Sequence, residues 1–287
     1  MEDCIIIGGG PAGLTAALYL SRFLRSVTVF DTGGGRAAMI PNIHNLAPFP
    51  TGISGTDLLN RMRDHAQHYR AKIIDEQVLA VERQAGAFRV TTARESYMGR
   101  SIIFATGVFN HRPPLTPREH DVGVARGLIR YCPVCDAYEV REKRIAVLGN
   151  GAHGLQEAQF LTTYSHFVSL FPPDGSLAAG SKGVTTFDTP METLALTDTE
   201  VVVSLKSQKI LRFDTVYVAM GTAAKTVLAA QIGILLGESG HISVAGRQRT
   251  SVDRAFAIGD VTEGLDQIAV AMGQAAIAAT EIHNSLN

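Results

Sequence analysis

One glycine pattern occurs twice in this chain, and it restricts the fold more than any other feature. Gly8, Gly10 and Gly13 fall in "DCIIIGGGPAGLTAALYLSRFLRSVTVFD" (residues 3–31), and Gly149, Gly151 and Gly154 fall in "RIAVLGNGAHGLQEAQFLTTYSHFVSLFPPD" (residues 144–174). Each copy reads as a short β-branched strand, a glycine turn, an apolar helix and a second strand. G-x-G-x-x-G alone is weak evidence; between a strand and a helix it becomes a dinucleotide fingerprint. The glycines permit a tight turn and close approach of backbone to pyrophosphate, and the helix start adds free N–H groups and a positive dipole end. Pro11 and Ala12 lie inside the first turn, and His153 inside the second, where it would sit close to a pyrophosphate. The first copy ends in Asp31, eighteen residues past Gly13, where a carboxylate accepts hydrogen bonds from an adenosine ribose. The N-terminal copy is therefore expected to bind a dinucleotide without a 2′-phosphate, FAD or NAD.

Composition narrows the class. With 287 residues and 46% hydrophobic content, one or two globular domains with a sizeable core are expected. A net charge of −1 with interspersed acids and bases leaves no basic footprint for nucleic acid. No apolar run is long enough to span a membrane, and no signal peptide is expected, because folded-domain sequence begins at Cys4. Three cysteines make no disulfide framework, so a cytoplasmic location is expected. Two further segments favour FAD. "SIIFATG" (residues 101–107) reads as a strand ending in a small-residue turn. "AFAIGDVTEGLDQIAVAMGQAAIAATEIHNSL" (residues 255–286) reads as a strand, a Gly-Asp turn and an alanine-rich helix, with Asp260 placed to take sugar or ribityl hydroxyls.

"YCPVCDAYE" (residues 131–139) holds Cys132 and Cys135 with Asp136 directly behind. Such a pair beside a Rossmann-like unit reads as redox-active, the thiolate being the reactive form. A zinc site is the alternative, but it needs four ligands, and the one other cysteine, Cys4, lies in a core strand by its sequence. Two inert thiols are the third reading. His65 and His68 share a helix at i, i+3 spacing, but "RMRDHAQHYR" is so polar that a solvated face is expected. No metal site is expected.

Taken together, these pieces resemble the low-molecular-weight thioredoxin reductases along nearly the whole chain. "GGGPAG" is similar to their FAD pyrophosphate loop, and "HNLAPFPTGISGTDLL" (residues 44–59) to their asparagine-plus-FP segment, with Asn45 at the flavin-contacting position. "FATG" resembles the first ATG turn (Ala105, Thr106, Gly107), "CPVCD" the redox centre, "VYVAMG" (residues 216–221) the return strand into the flavin domain, and "FAIGD" the flavin-binding turn of Gly259 and Asp260. In "GLDQIAVA", Gln267 and Ile268 match a Gln-Ala pair at the flavin, while Asp266 replaces an arginine. The resemblance implies an α/β protein of two Rossmann-like, three-layer ββα domains, the second inserted in the first. Residues 1–108 and 221–287 would form a discontinuous FAD domain, and residues 109–220 a central domain. It also implies a homodimer acting on thioredoxin or another dithiol or disulfide protein. Cys135 would face the flavin, Cys132 would exchange with the partner, and Asp136 would manage the thiol proton.

The second fingerprint departs from that pattern. NADPH-dependent relatives carry a basic run after the matching strand, which holds the 2′-phosphate. Here the run is Pro172, Pro173, Asp174, and no lysine or arginine follows until Lys182. All three glycines nevertheless persist, which implies a changed ligand rather than a degraded site. The leading expectation is a disulfide oxidoreductase that does not use NADPH and holds a second FAD, or another dinucleotide lacking a 2′-phosphate, as in diflavin-linked disulfide oxidoreductases. A thioredoxin reductase fed by NAD(P)H or ferredoxin is the alternative, and a flavin redox sensor without turnover is a third. Arg36, in the glycine-rich "TGGGRAA" (residues 32–38), matches no phosphate reader.

Overall fold

The computed structural model describes residues 1–174, 176 and 180–286. The chain forms two compact units, one of residues 1–39, 53–109 and 223–287, the other of residues 40–52 and 110–222. Residues 40–52, which carry Asn45, thus belong to the second unit.

The first unit is built on a seven-stranded sheet. Strands Lys72–Ile74, Val27–Phe30, Glu2–Ile7 and Ser96–Phe104 run parallel in that order, and Ala255–Ala257 adds parallel to Ser96–Phe104. Strands Ala87–Thr91 and Ala80–Gln84 extend the sheet antiparallel as a meander. Cys4, Ile5 and Ile6 are fully buried, as a parallel strand covered on both faces requires. Helices Pro11–Arg22 and Ile268–Ser285 cover one face together. Their contact is lined by Ala12, Ala16, Ala17, Ala271, Ala275, Ala278 and Ala279, and small side chains let the two backbones approach closely. Pro11 at the first helical position has its φ pre-set and offers no N–H to be left unbonded.

The second unit holds a five-stranded parallel sheet in the order Val184–Thr185, Val168–Phe171, Ile145–Gly149, Thr215–Ala219, Ile129–Arg130. A three-stranded antiparallel sheet, Met191–Leu196, Val201–Leu205 and Ile210–Phe213, packs against it through Leu194, Val201, Val203 and Phe213. The segment "VYVAMG", expected to lead back into the flavin domain, supplies a strand of this sheet, and the first unit resumes at Ala223. Its strand, Thr215–Ala219, is buried along its length between two parallel neighbours. The chain leaves and re-enters the first unit just beyond, through strands Val108–Asn110 and Thr222–Ala224, which pair as a two-stranded sheet. Among the described residues no helix is long and apolar enough to cross a membrane.

Candidate active site

The first glycine turn is fixed by contacts that admit no side chain. Gly8 has φ +111°, and a Cβ there would lie 2.2 Å from the Ala105 carbonyl oxygen. A Cβ on Gly13 would lie 1.9 Å from the Gly8 carbonyl oxygen. Gly10 caps the helix with no side-chain hydrogen bond, and the space where its Cβ would sit is open. The loop therefore turns tightly at Gly8 and Gly13 and leaves the helix start accessible at Gly10, as a pyrophosphate cradle demands. Asp31 follows strand Val27–Phe30, and its carboxylate carbon lies 2.5 Å from where a Gly9 Cβ would stand. The Asp31 carboxylate is thus held against the same loop. The Lys225 ammonium stacks over the Phe109 ring at 4.3 Å. Burial lowers the Lys225 pKa, and the nearby Asp31 carboxylate opposes that shift.

Several of the remaining first-site residues lie at the ends of the first unit's strands, whereas Asn45 falls in the second unit. Ala105 donates its N–H to the Ile7 carbonyl at 2.8 Å. The Thr106 hydroxyl donates to the Lys225 carbonyl at 2.7 Å, and the Lys225 N–H returns to Gly107 at 2.9 Å. Gly259, at φ +74°, donates its N–H to Gln274 Oε1 at 2.6 Å. Gln267 caps the helix that Ile268 begins. These residues fit a flavin dinucleotide: a tight glycine turn at one end, a carboxylate beside it, and Asp260 on the turn that follows strand Ala255–Ala257.

Arg36 and Asp266, both unexplained by the sequence alone, explain one another. Arg36 Nη1 donates to Asp266 Oδ2 at 2.7 Å and to Asp260 Oδ2 at 3.2 Å. The glycine-rich loop thus brings a cation to the two carboxylates. Burial and the adjacent Asp260 charge nonetheless hold the Asp266 carboxyl above the usual carboxylate range, against the pull of Arg36. A carboxyl whose folded pKa is raised stabilises the fold below its unfolded pKa and loses that contribution as pH rises through the folded value. Asp266→Asn is therefore expected to gain thermal stability relative to the parent protein as pH rises above the ordinary aspartate range. Parallel melting curves within and above that range check this; a difference independent of pH would contradict it.

In the second unit, Cys132 and Cys135 form a disulfide with Cα atoms 5.2 Å apart. Cys132 caps the one-turn helix Pro133–Asp136, and the Cys135 N–H donates to the Cys132 carbonyl at 2.9 Å. Pro133 at the first helical position pre-forms that turn. Both cysteines are partly exposed, with exposed Val134 between them and exposed Tyr138 beyond. Cys4 is fully buried, and burial pushes its thiol up to about 12. Among the described residues no group of three or more histidine, cysteine or acidic side chains is arranged for a metal.

Two polar networks, neither visible in the sequence, involve the residues next to the two cysteines in the chain. Asp136 Oδ2 accepts from Arg130 Nη1 at 2.7 Å, and Asp136 Oδ1 accepts from the Tyr217 hydroxyl at 2.7 Å. Before Cys132, the Tyr131 hydroxyl is 2.7 Å from His120 Nε2, and His120 Nδ1 is 2.9 Å from Asp121 Oδ1. His120 is buried, and burial pushes the Tyr131 phenol up to about 12.

The second glycine turn shares close packing at its first and third glycines with the first, but its left-handed residue is Gly151 rather than the first glycine. A Cβ on Gly154 would lie 2.5 Å from the Gly149 carbonyl carbon, and one on Gly149 would lie 2.7 Å from the Ala219 carbonyl oxygen. Gly151 has φ +55° with open space beside it. Helix Gly151–Leu161 starts at Asn150 with no side-chain cap. His153 is exposed, its Nε2 3.3 Å from Glu157 Oε1 along the helix. Strand Val168–Phe171 ends at Pro172, Pro173 and Asp174. The Ser176 N–H donates to Asp174 Oδ1 at 2.9 Å, and its hydrogen bonding holds that carboxyl below the usual range.

A nucleotide fold carrying a Cys-x-x-Cys disulfide defines a class. The chain belongs to the pyridine nucleotide-disulphide oxidoreductase family, whose model matches residues 2–174 and 179–275. It is 31% identical over 286 residues to the thioredoxin reductase of Streptomyces clavuligerus, covering 92% of this chain and 87% of that protein. It is 32% identical to the NADPH-dependent thioredoxin reductase 3 of Arabidopsis thaliana, over 97% of this chain and 57% of that protein. The thioredoxin reductase structure from Streptococcus pyogenes superposes with a TM-score of 0.90 at 29% identity, covering 100% of this chain and 98% of that one. Within the family, the chain is a thioredoxin-reductase-like, FAD-dependent disulfide oxidoreductase.

Proposed function

We propose that this protein moves electron pairs between FAD in the first unit and the Cys132–Cys135 pair, and does not draw them from NADPH. The first FAD is assigned to Gly8, Gly10, Pro11, Ala12, Gly13, Asp31, Asn45, Ala105, Thr106, Gly107, Gly259, Asp260, Gln267 and Ile268. When bound, it supplies a two-electron acceptor or donor. Oxidation of the dithiol breaks two S–H bonds and forms one S–S bond, releasing two electrons to the flavin and two protons. Cys132 exchanges with the disulfide or dithiol of a thioredoxin-like protein, Cys135 faces the flavin, and Asp136 handles a thiol proton. A homodimer in the cytoplasm, with residues 1–108 and 221–287 as the FAD domain, completes the reading.

The observation that carries the NADPH-independent reading is the end of strand Val168–Phe171. Pro172, Pro173 and an ionised Asp174 stand where a 2′-phosphate reader belongs, and no lysine or arginine occurs between Arg144 and Lys182. A doubly charged phosphate beside an aspartate is repelled. The packing that excludes a side chain at Gly149 and Gly154 and the open space at Gly151 support a bound dinucleotide lacking the 2′-phosphate, read here as a second FAD beside Gly149, Gly151, His153 and Gly154. Flavin released from denatured protein is expected at about two per chain; one per chain would exclude the second FAD. Rapid bleaching of the flavin by NADPH would instead favour an NADPH-fed thioredoxin reductase, the activity named in the Arabidopsis relative.

A further inference from the structure

We infer that Arg130 and Tyr217 are positioning residues for thiol–disulfide exchange, clamping Asp136 so that its charge is cancelled beside Cys135. This rests on Cys132–Cys135 being the exchanging pair.

The clamp is a product of sheet register. Tyr217 and Arg130 are direct partners in adjacent parallel strands, and partners in register send their side chains to the same face. Asp136 lies on the one-turn helix that follows. Each of its oxygens accepts one donor at 2.7 Å, one a cation and one a hydroxyl. Tyr217 is fully buried. Burial, then the Asp136 charge, pushes its phenol well above the ordinary tyrosine range, so it remains a donor at any working pH. Arginine is a fixed cation in proteins. The Arg130 Nε is buried with no hydrogen-bond partner among the described residues. The guanidinium therefore meets Asp136 through one nitrogen, as a charge rather than a bidentate fork.

The consequence falls on the thiols. Asp136 is bonded directly to Cys135, and Arg130 is two residues before Cys132. Thiolate is the reactive form, and a nearby charge of either sign changes how easily it forms. An uncancelled Asp136 carboxylate disfavours thiolate; an uncancelled Arg130 favours it. With both present the pair is close to neutral. Other charges also face this region. Glu139 follows on the next turn, with His44 Nδ1 3.9 Å from its carboxylate. Tyr131, next to Cys132 in the chain, leads to His120, Asp121 and Arg112, the last 3.9 Å from Asp121. These groups are unchanged by substitution at 130, 136 or 217, so they form a constant background.

The test is the pH dependence of iodoacetamide alkylation of the reduced holoenzyme, with the modified cysteine assigned by mass spectrometry. Arg130→Gln is expected to raise the apparent pKa of the more acidic thiol, and Asp136→Asn to lower it, each by about half a pH unit or more. The double variant should return toward the parent profile, and Arg130→Lys should retain it. Tyr217→Phe should shift the profile in the same direction as Arg130→Gln, by less. If Arg130→Gln does not fold, Tyr217→Phe, which keeps the ring and its packing, carries the upward arm. Shifts of the same sign in Arg130→Gln and Asp136→Asn, or none in either, would overturn the inference, because a merely structural role has no sign. Alkylation is read without turnover. Failure of dithiols to reduce the flavin would sink the functional reading yet leave this readout intact.

Discussion

Gly13→Ala is expected to yield protein without bound flavin and with a lowered melting temperature. The reason is one distance: an added Cβ would stand 1.9 Å from the Gly8 carbonyl oxygen, well inside any non-bonded contact. The neighbour is backbone, so it yields only if the turn opens or helix Pro11–Arg22 moves off the sheet. That helix packs on Ile6, Val29 and the alanines of the C-terminal helix, and overpacking of this kind typically costs about 1–3 kcal/mol or more. Gly10→Ala supplies the contrast. Gly10 has φ −77°, which alanine adopts freely, and nothing lies within 4 Å of the new Cβ. Its methyl group would occupy only the space proposed for pyrophosphate. The apoprotein should therefore melt as the parent does, while flavin affinity falls about tenfold or more. Visible absorbance of the purified protein and calorimetry of the apo forms separate the two effects. Normal flavin content in Gly13→Ala would refute the cradle, and unchanged affinity in Gly10→Ala would move the pyrophosphate elsewhere.

Local spacing made the fingerprints legible. A tight βα turn is encoded within a few residues, and so is the disulfide, because Pro133 and the one-turn helix bring Cys132 and Cys135 together without help from distant sequence. The same locality exposed the altered strand end at Pro172, Pro173 and Asp174. The charge partners were not legible, because sheet register and chain return create them. Arg36 and Asp266 are 230 residues apart, and Tyr217 and Asp136 are 81 apart. Each looked anomalous alone: an arginine with no phosphate to read, an aspartate in an arginine's place. The available signal was that the anomalies had opposite sign, since an acid in a partly buried site calls for a cation. Nothing comparable marked Tyr217, whose strand reads as uniform hydrophobic core and whose hydroxyl finds its acceptor only through register with Arg130. The placement of residues 40–52 with the second unit was also invisible, because the segment contains no regular element whose period would reveal its neighbours.

Cys135→Ser is expected to lower dithiol-driven flavin reduction on the order of 10³-fold or more, the scale on which loss of a reacting nucleophile acts. Serine preserves size, so the helix Pro133–Asp136 and the Asp136 clamp survive, while the alcohol neither forms S–S nor ionises near neutral pH. No other thiol can substitute. Cys4 is fully buried in the central sheet of the first unit, and burial raises its pKa to about 12, so almost none of it is thiolate at neutral pH. Thiol counting gives an independent check. The oxidised parent should show no reactive thiol under native conditions and one, Cys4, after denaturation. Cys135→Ser should show one before denaturation, the released Cys132, and two after it. Cys132→Ser should mirror those counts, and the two variants should part in one respect. With Cys135 retained, the thiol assigned to the flavin remains, and the visible spectrum of Cys132→Ser should change with pH as that thiol ionises; the spectrum of Cys135→Ser should not. Unchanged turnover in both variants would remove the disulfide from the mechanism. The reverse spectral pattern would exchange the roles of the two sulfurs while leaving the chemistry in place.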